Sequence, residues 1–182
     1  MDVQFVPKLL MSRTRWVSPV SDGSECLTAV TPLGLLSLSR HRSGVLSAGS
    51  AVGGILEDWR ISLDGEALAE IRGVAPPGHP MRMQVRRGVT GHIDGVPVGI
   101  SALRTLKRQH RYVAFASAEV TVEFRGRPQR VRVQERGGTV LAEKNGVVWK
   151  LPSDDRRTFA AMSLFELAGL DSFLVNPVLA VL

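Results

Sequence analysis

A single cysteine, Cys26, stands in 182 residues. It excludes an intrachain disulfide and a thiolate metal centre built within one chain. As a nucleophile it would need a base near it; the simpler reading is a small buried hydrophobe. Aromatics are scarce at 5%, with Tyr112 the sole tyrosine. The chain therefore offers no evident stacking platform for single-stranded nucleic acid. No window holds the run of about 20 uncharged apolar residues that a membrane helix needs. The nearest approach, Phe159 to Leu182, contains Glu166, Asp171, Asn176 and Pro177, and a carboxylate inside a bilayer costs several kcal/mol. Leu9-Leu10-Met11 is too short for the apolar core of a secretion signal, about 7–15 residues. These absences lead to the expectation of a cytoplasmic, non-spanning protein.

Catalytic and metal motifs are missing as well. The four histidines, His41, His79, His92 and His110, show no i, i+4 pairing and no His-Glu-x-x-His, and His41 and His110 lie among arginines that would repel a divalent metal. There is no nucleophile elbow, P-loop or Ser-x-x-Lys. Gly49 to Gly54 is glycine-rich but lacks the lysine and the strand-to-helix context of a phosphate loop, so it reads as a loop or bulge. Glu57-Asp58 is expected to be exposed just ahead of a strand, and Asp154-Asp155 is accounted for by helix capping. No catalytic residue, metal or cofactor is therefore assigned.

What the chain does contain is a globular composition, 44% hydrophobic and 22% charged, at a length suited to one domain. Its dominant pattern is the hairpin. Trp59, Ile61 and Leu63 alternate with polar residues, and Asp64-Gly65 follows with the positive φ angles of a tight turn. The pattern returns around Asp94-Gly95, at Gly126 within 120–133, at Gly137-Gly138, and at Asn145-Gly146. Earlier strands are expected at Trp16 to Val20, Cys26 to Val30 and Leu33 to Ser39, with loops at Gly44 to Gly54 and at the proline-rich Ala75 to Pro80. After Leu151 the period changes. Ser153 is a candidate N-cap, Asp154 and Asp155 suit the positive end of a helix dipole, and Phe159, Met162, Phe165, Leu167, Leu170 and Leu174 follow at helical spacings. A helix apolar nearly all round needs cover on every side. The expected fold is mainly β: one domain over 1–182, an antiparallel, hairpin-rich barrel or sandwich with a buried apolar C-terminal helix within 153–176.

The hairpins from Trp59 to Leu151, then Trp149-Lys150-Leu151-Pro152 and an apolar C-terminal helix, resemble the tubby/LURP-one/scramblase group. The resemblance covers about two-thirds of the chain and lies in the pattern of elements. It implies a roughly twelve-stranded barrel closed around a hydrophobic C-terminal helix. None of the group's phosphoinositide-contact residues can be placed on positions of this chain.

The remaining signal is charge. The net charge is +6, carried by 19 arginines and 4 lysines against 17 acids. Arg104, Lys107, Arg108 and Arg111 fall in eight residues. Arg125, Arg127, Arg130, Arg132 and Arg136 straddle a hairpin, with Arg130 and Arg132 on one strand face; Arg82, Arg86 and Arg87 form a third group. A patch of Arg104, Lys107, Arg108, Arg111, Arg130 and Arg132 is the candidate ligand site. The leading expectation is a non-enzymatic binding module for an anionic ligand, foremost a membrane lipid or headgroup, at the periphery of the membrane. Two alternatives remain: an assembly subunit or homo-oligomer acting through the apolar end (Phe173 to Val175 and Val178 to Leu182), and a non-specific nucleic-acid binder.

Overall fold

The computed structural model describes residues 3–5, 24–31, 33–45, 55–74, 89–118, 121–135, 138–146, 148–151, 155–167 and 170–175. The expected strand at 16–20, the proline-rich loop at 75–80, the cap at Ser153, the 82–87 arginines and the apolar end at 178–182 lie outside these residues, as do positions 46–54 of the glycine-rich stretch.

Twelve strands form one antiparallel sheet: β1 Val3–Phe5, β2 Ser24–Thr31, β3 Gly34–Val45, β4 Ile55–Leu63, β5 Glu66–Val74, β6 Val89–Ile93, β7 Val96–Leu103, β8 Tyr112–Ala116, β9 Thr121–Arg127, β10 Arg130–Glu135, β11 Val140–Asn145 and β12 Val148–Leu151. From β2 to β12 each strand pairs with its sequence neighbour, and β1 returns to pair with β12 (Val3 opposite Leu151, Phe5 opposite Trp149). The hydrogen-bonded order thus runs from β1 at one end to β2 at the other.

The two Asp-Gly turns carry the expected backbone. Asp64 and Gly65 have φ of 51° and 85°, and Asp94 and Gly95 have 49° and 77°, the double positive φ of a type I′ hairpin. The Asp64 carboxylate also accepts the backbone N–H of Leu35 at 2.8 Å, which ties the turn to β3. Glu57-Asp58 lies inside β4 rather than ahead of it, and Asp58 is half-buried, accepting the Gly73 N–H at 2.9 Å.

One helix, α1 (Arg156–Leu167), follows the sheet, and a 3-10 turn spans Leu170–Leu174. This is shorter than the continuous helix expected up to Leu174. Asp155 caps it: its carboxylate accepts the Arg157 N–H at 3.0 Å and the Thr158 hydroxyl at 2.5 Å. Every residue from Thr158 to Phe165 is buried. Eight successive residues at 100° each cover the whole circumference of a helix, so cover must come from all sides. Strands β5 and β6 pack on α1, while Phe165 stacks on Phe124 of β9 (centroids 4.3 Å apart, 6° between planes) and meets Trp149 of β12 edge-on at 6.3 Å. Strands from both halves of the sheet therefore touch one helix. Strand β10 sends alternate residues inward: Val131 and Val133 are buried and Arg130 and Arg132 exposed. Among the described residues no helix is long and apolar enough to cross a membrane.

Candidate anion-binding cleft

The β9–β10 hairpin builds the centre of the site. Its turn is Pro128-Gln129, so Arg127 faces Arg130 and Arg125 faces Arg132 across the strands. Val122, Phe124, Val131 and Val133 take the buried face, which leaves all four arginines on the outer one. The turn lies two residues beyond Gly126, where the sequence suggested it. Gly126 sits within β9 at φ 123°, and a Cβ there would fall 2.2 Å from the Arg130 carbonyl oxygen. The glycine permits close approach of the two strands.

Directly opposed like charges oppose sheet pairing by about 0.2–1 kcal/mol per pair. This hairpin holds two such pairs. The row continues: Tyr112 lies opposite Arg125, Glu143 opposite Arg132, and Lys150 opposite Glu143. Arg125 is fixed by Glu123 at 2.8 Å and by the Tyr112 ring, 5.4 Å from its guanidinium carbon. Arg132 is paired with Glu143 at 3.1 Å in an exposed position.

The β7–β8 connection folds against this row through a 3-10 turn at Arg108–His110. Its anchor is Arg111, only 6% exposed. Arg111 donates from Nε to the Thr105 carbonyl at 2.7 Å, from Nη2 to Leu106 at 2.8 Å and from Nη1 to Leu174 at 3.3 Å. All three acceptors are carbonyls, one of them at the C-terminal end of the 3-10 turn after α1, where free carbonyls gather. An arginine offers five N–H donors and keeps its charge. Carbonyls solvate that charge without neutralising it.

Two adjoining cavities of about 810 and 870 Å³ open on this surface and share Arg108, Arg111, Arg130 and Asn145. Arg125, Arg132 and Lys150 line the first and Arg127 the second. Among the described residues Glu143 is the one carboxylate in either lining, and it is engaged by Arg132. Among the described residues, Arg108, Arg127, Arg130 and Lys150 have no carboxylate partner. Lys144 borders the first cavity, but its ammonium is turned inward onto Glu166 of α1 and over the Trp149 ring. Glu166 also accepts the Trp149 indole N–H at 3.2 Å. Burial pushes the Glu166 carboxyl above its ordinary value; the hydrogen bond and charge of Lys144 pull it down without cancelling that effect.

Of the six sequence-selected residues, Arg108, Arg111, Arg130 and Arg132 meet at the cleft. Arg104 and Lys107 do not line it; Arg104 donates to the Val175 carbonyl at 3.2 Å. Arg125, Arg127 and Lys150 complete the lining. The two-residue turn Pro128-Gln129 places Arg125 and Arg127 opposite the selected pair, so their position was available from the hairpin register. Lys150 carried no such signal, because its place depends on the pairing of β10, β11 and β12. Among the described residues no group of three or more His, Cys, Asp or Glu side chains could hold a metal ion. No family model, curated protein or solved structure matches the chain.

Proposed function

We propose that this protein is a non-enzymatic binding module whose cationic cleft takes an anionic ligand, the headgroup of a membrane lipid. The observation that carries this reading is the set Arg108, Arg127 and Arg130, which share a cleft with the buried Arg111 and have no carboxylate partner among the described residues. A fold gains nothing from opposing Arg127 to Arg130. A bound anion would remove that repulsion.

The outer surface favours lipid over single-stranded nucleic acid. Trp59, Trp149, Phe115, Phe124, Phe159, Phe165 and Phe173 are all buried, and Tyr112 lies half-buried under Arg125. None of these eight rings is exposed for base stacking. In this reading the protein works at the cytoplasmic face of a membrane.

Each basic residue near an anionic bilayer contributes about 1 kcal/mol, so four in one cleft suffice for reversible peripheral binding. The test is flotation on phosphatidylcholine vesicles with and without phosphatidylserine. Recovery is expected with the anionic vesicles alone, falling as salt rises. The double variant Arg127→Gln/Arg130→Gln should bind roughly 30-fold more weakly, from two contributions of about 1 kcal/mol, and should melt no lower than the wild type, since a repulsion is relieved. Equal recovery on neutral vesicles, or none on either kind, overturns the proposal.

A further inference from the structure

Leu106 projects from the β7–β8 connection and is 70% exposed. It lines the same cavity as Arg108, Arg127 and Arg130. A single exposed leucine on a protein surface is ordinary. This one differs in how it is held. The carbonyls of Thr105 and Leu106 are both gripped by the buried Arg111. The Thr105 hydroxyl donates to the Lys107 carbonyl at 2.8 Å, and the His110 N–H donates to the same carbonyl at 3.1 Å. The segment is pinned through its backbone, and the apolar side chain is presented outward by that pinning. The four residues that follow, Lys107 to His110, are all exposed, and two of them are cationic.

A rigid apolar tip beside arginines that have no carboxylate partner among the described residues has a defined chemical complement. A soluble phosphate or a nucleic acid backbone supplies anions but no apolar phase. An anionic bilayer supplies both, with its phosphates a few ångströms above the acyl chains. We infer that Leu106 enters the headgroup–acyl boundary of an anionic membrane when the cleft engages its phosphates. The end of the sheet that carries the 104–111 connection and the Arg127–Arg130 turn then faces the lipid. This inference rests on the anionic-ligand reading above and adds the orientation of docking and the apolar contact.

The experiment compares wild type, Leu106→Ala and Leu106→Trp, all as full chains. Two probes are used: phosphatidylserine-containing vesicles, and inorganic tripolyphosphate as a soluble anion. Because Leu106 is exposed, both variants should melt with the wild type. Leu106→Ala is expected to bind vesicles about tenfold more weakly, with an unchanged dependence on salt and unchanged binding of tripolyphosphate. Leu106→Trp should keep vesicle binding, and its emission, after subtraction of the wild-type spectrum, should shift to the blue on anionic vesicles.

Equal vesicle binding by wild type and Leu106→Ala overturns the insertion and leaves the anionic-ligand reading standing. Binding of tripolyphosphate without binding of vesicles also overturns the insertion, and makes the ligand a soluble anion. Failure of the wild type to bind either probe removes both.

Discussion

Arg111 and Glu166 are charged groups withdrawn from water, and their surroundings treat them differently. The guanidinium of Arg111 rests on three carbonyl oxygens. Glu166 has a cation beside it in Lys144 and an indole N–H from Trp149, yet burial outweighs both and raises its carboxyl, with Asp171 adding to the rise. A carboxyl raised in the native state holds its proton more tightly there than in the unfolded chain. That contribution to stability is complete below the ordinary carboxylate pKa and is lost as pH climbs through the raised value. The stability of wild type minus that of Glu166→Gln should therefore fall as pH climbs above the ordinary carboxylate value of about 4, measured by denaturant unfolding at each pH. A difference that grows over this window would mean that Lys144 dominates, and would reverse the assignment. Lys144 and Glu166 could not have been paired from the sequence, because 22 residues separate them and their meeting depends on where α1 crosses the sheet.

At the level of single elements, glycine divides the legible turns from the misread one. Asp64-Gly65 and Asp94-Gly95 form the turns expected of them because two adjacent residues at positive φ suit only that local geometry. Gly126 meets a different need, close approach to the Arg130 carbonyl inside the ladder, and the turn is made by Pro128-Gln129. The helix start is a smaller case: the acidic pair is accounted for by capping in the sequence, and Asp155 accepts the Arg157 N–H as the cap. Gly126→Ala must both strain φ and push a methyl group into backbone, so it should cost about 2–4 kcal/mol. Gly65→Ala, where a Cβ meets nothing within 4 Å, should cost about 1 kcal/mol from φ alone. Thermal melts of the two variants separate these origins; equal losses would show that close approach at Gly126 carries no weight. The Gly126 variant should also lose vesicle binding, because the same hairpin aligns Arg127 with Arg130.

On the scale of the whole molecule, the hairpin rhythm and the change of period after Leu151 were enough to anticipate a mainly β, antiparallel fold, barrel or sandwich, with a buried apolar C-terminal helix. The convergence of the arginines was not legible in the same way. The 104–111 and 125–132 groups stand on the β7–β8 connection and the β9–β10 hairpin, but only the register of β8 through β12 brings them and Lys150 onto one surface. The aromatic residues explain why sheet and helix form a single cooperative body. Phe165 stacks on Phe124, which in turn meets Phe115 edge-on at 5.5 Å and Trp149 at 6.5 Å. One helix residue thus closes a cluster drawn from β8, β9 and β12. Phe165→Ala should cost about 3–5 kcal/mol. At roughly 2–4 °C per kcal/mol for a chain of this size, the melting temperature should drop by about 10 °C. If the helix is enclosed by the sheet, it cannot loosen alone, so the far-ultraviolet helical signal and the near-ultraviolet tryptophan signal should shift together. A helix that melts ahead of the tryptophan signal would show that α1 lies on the sheet without being wrapped by it.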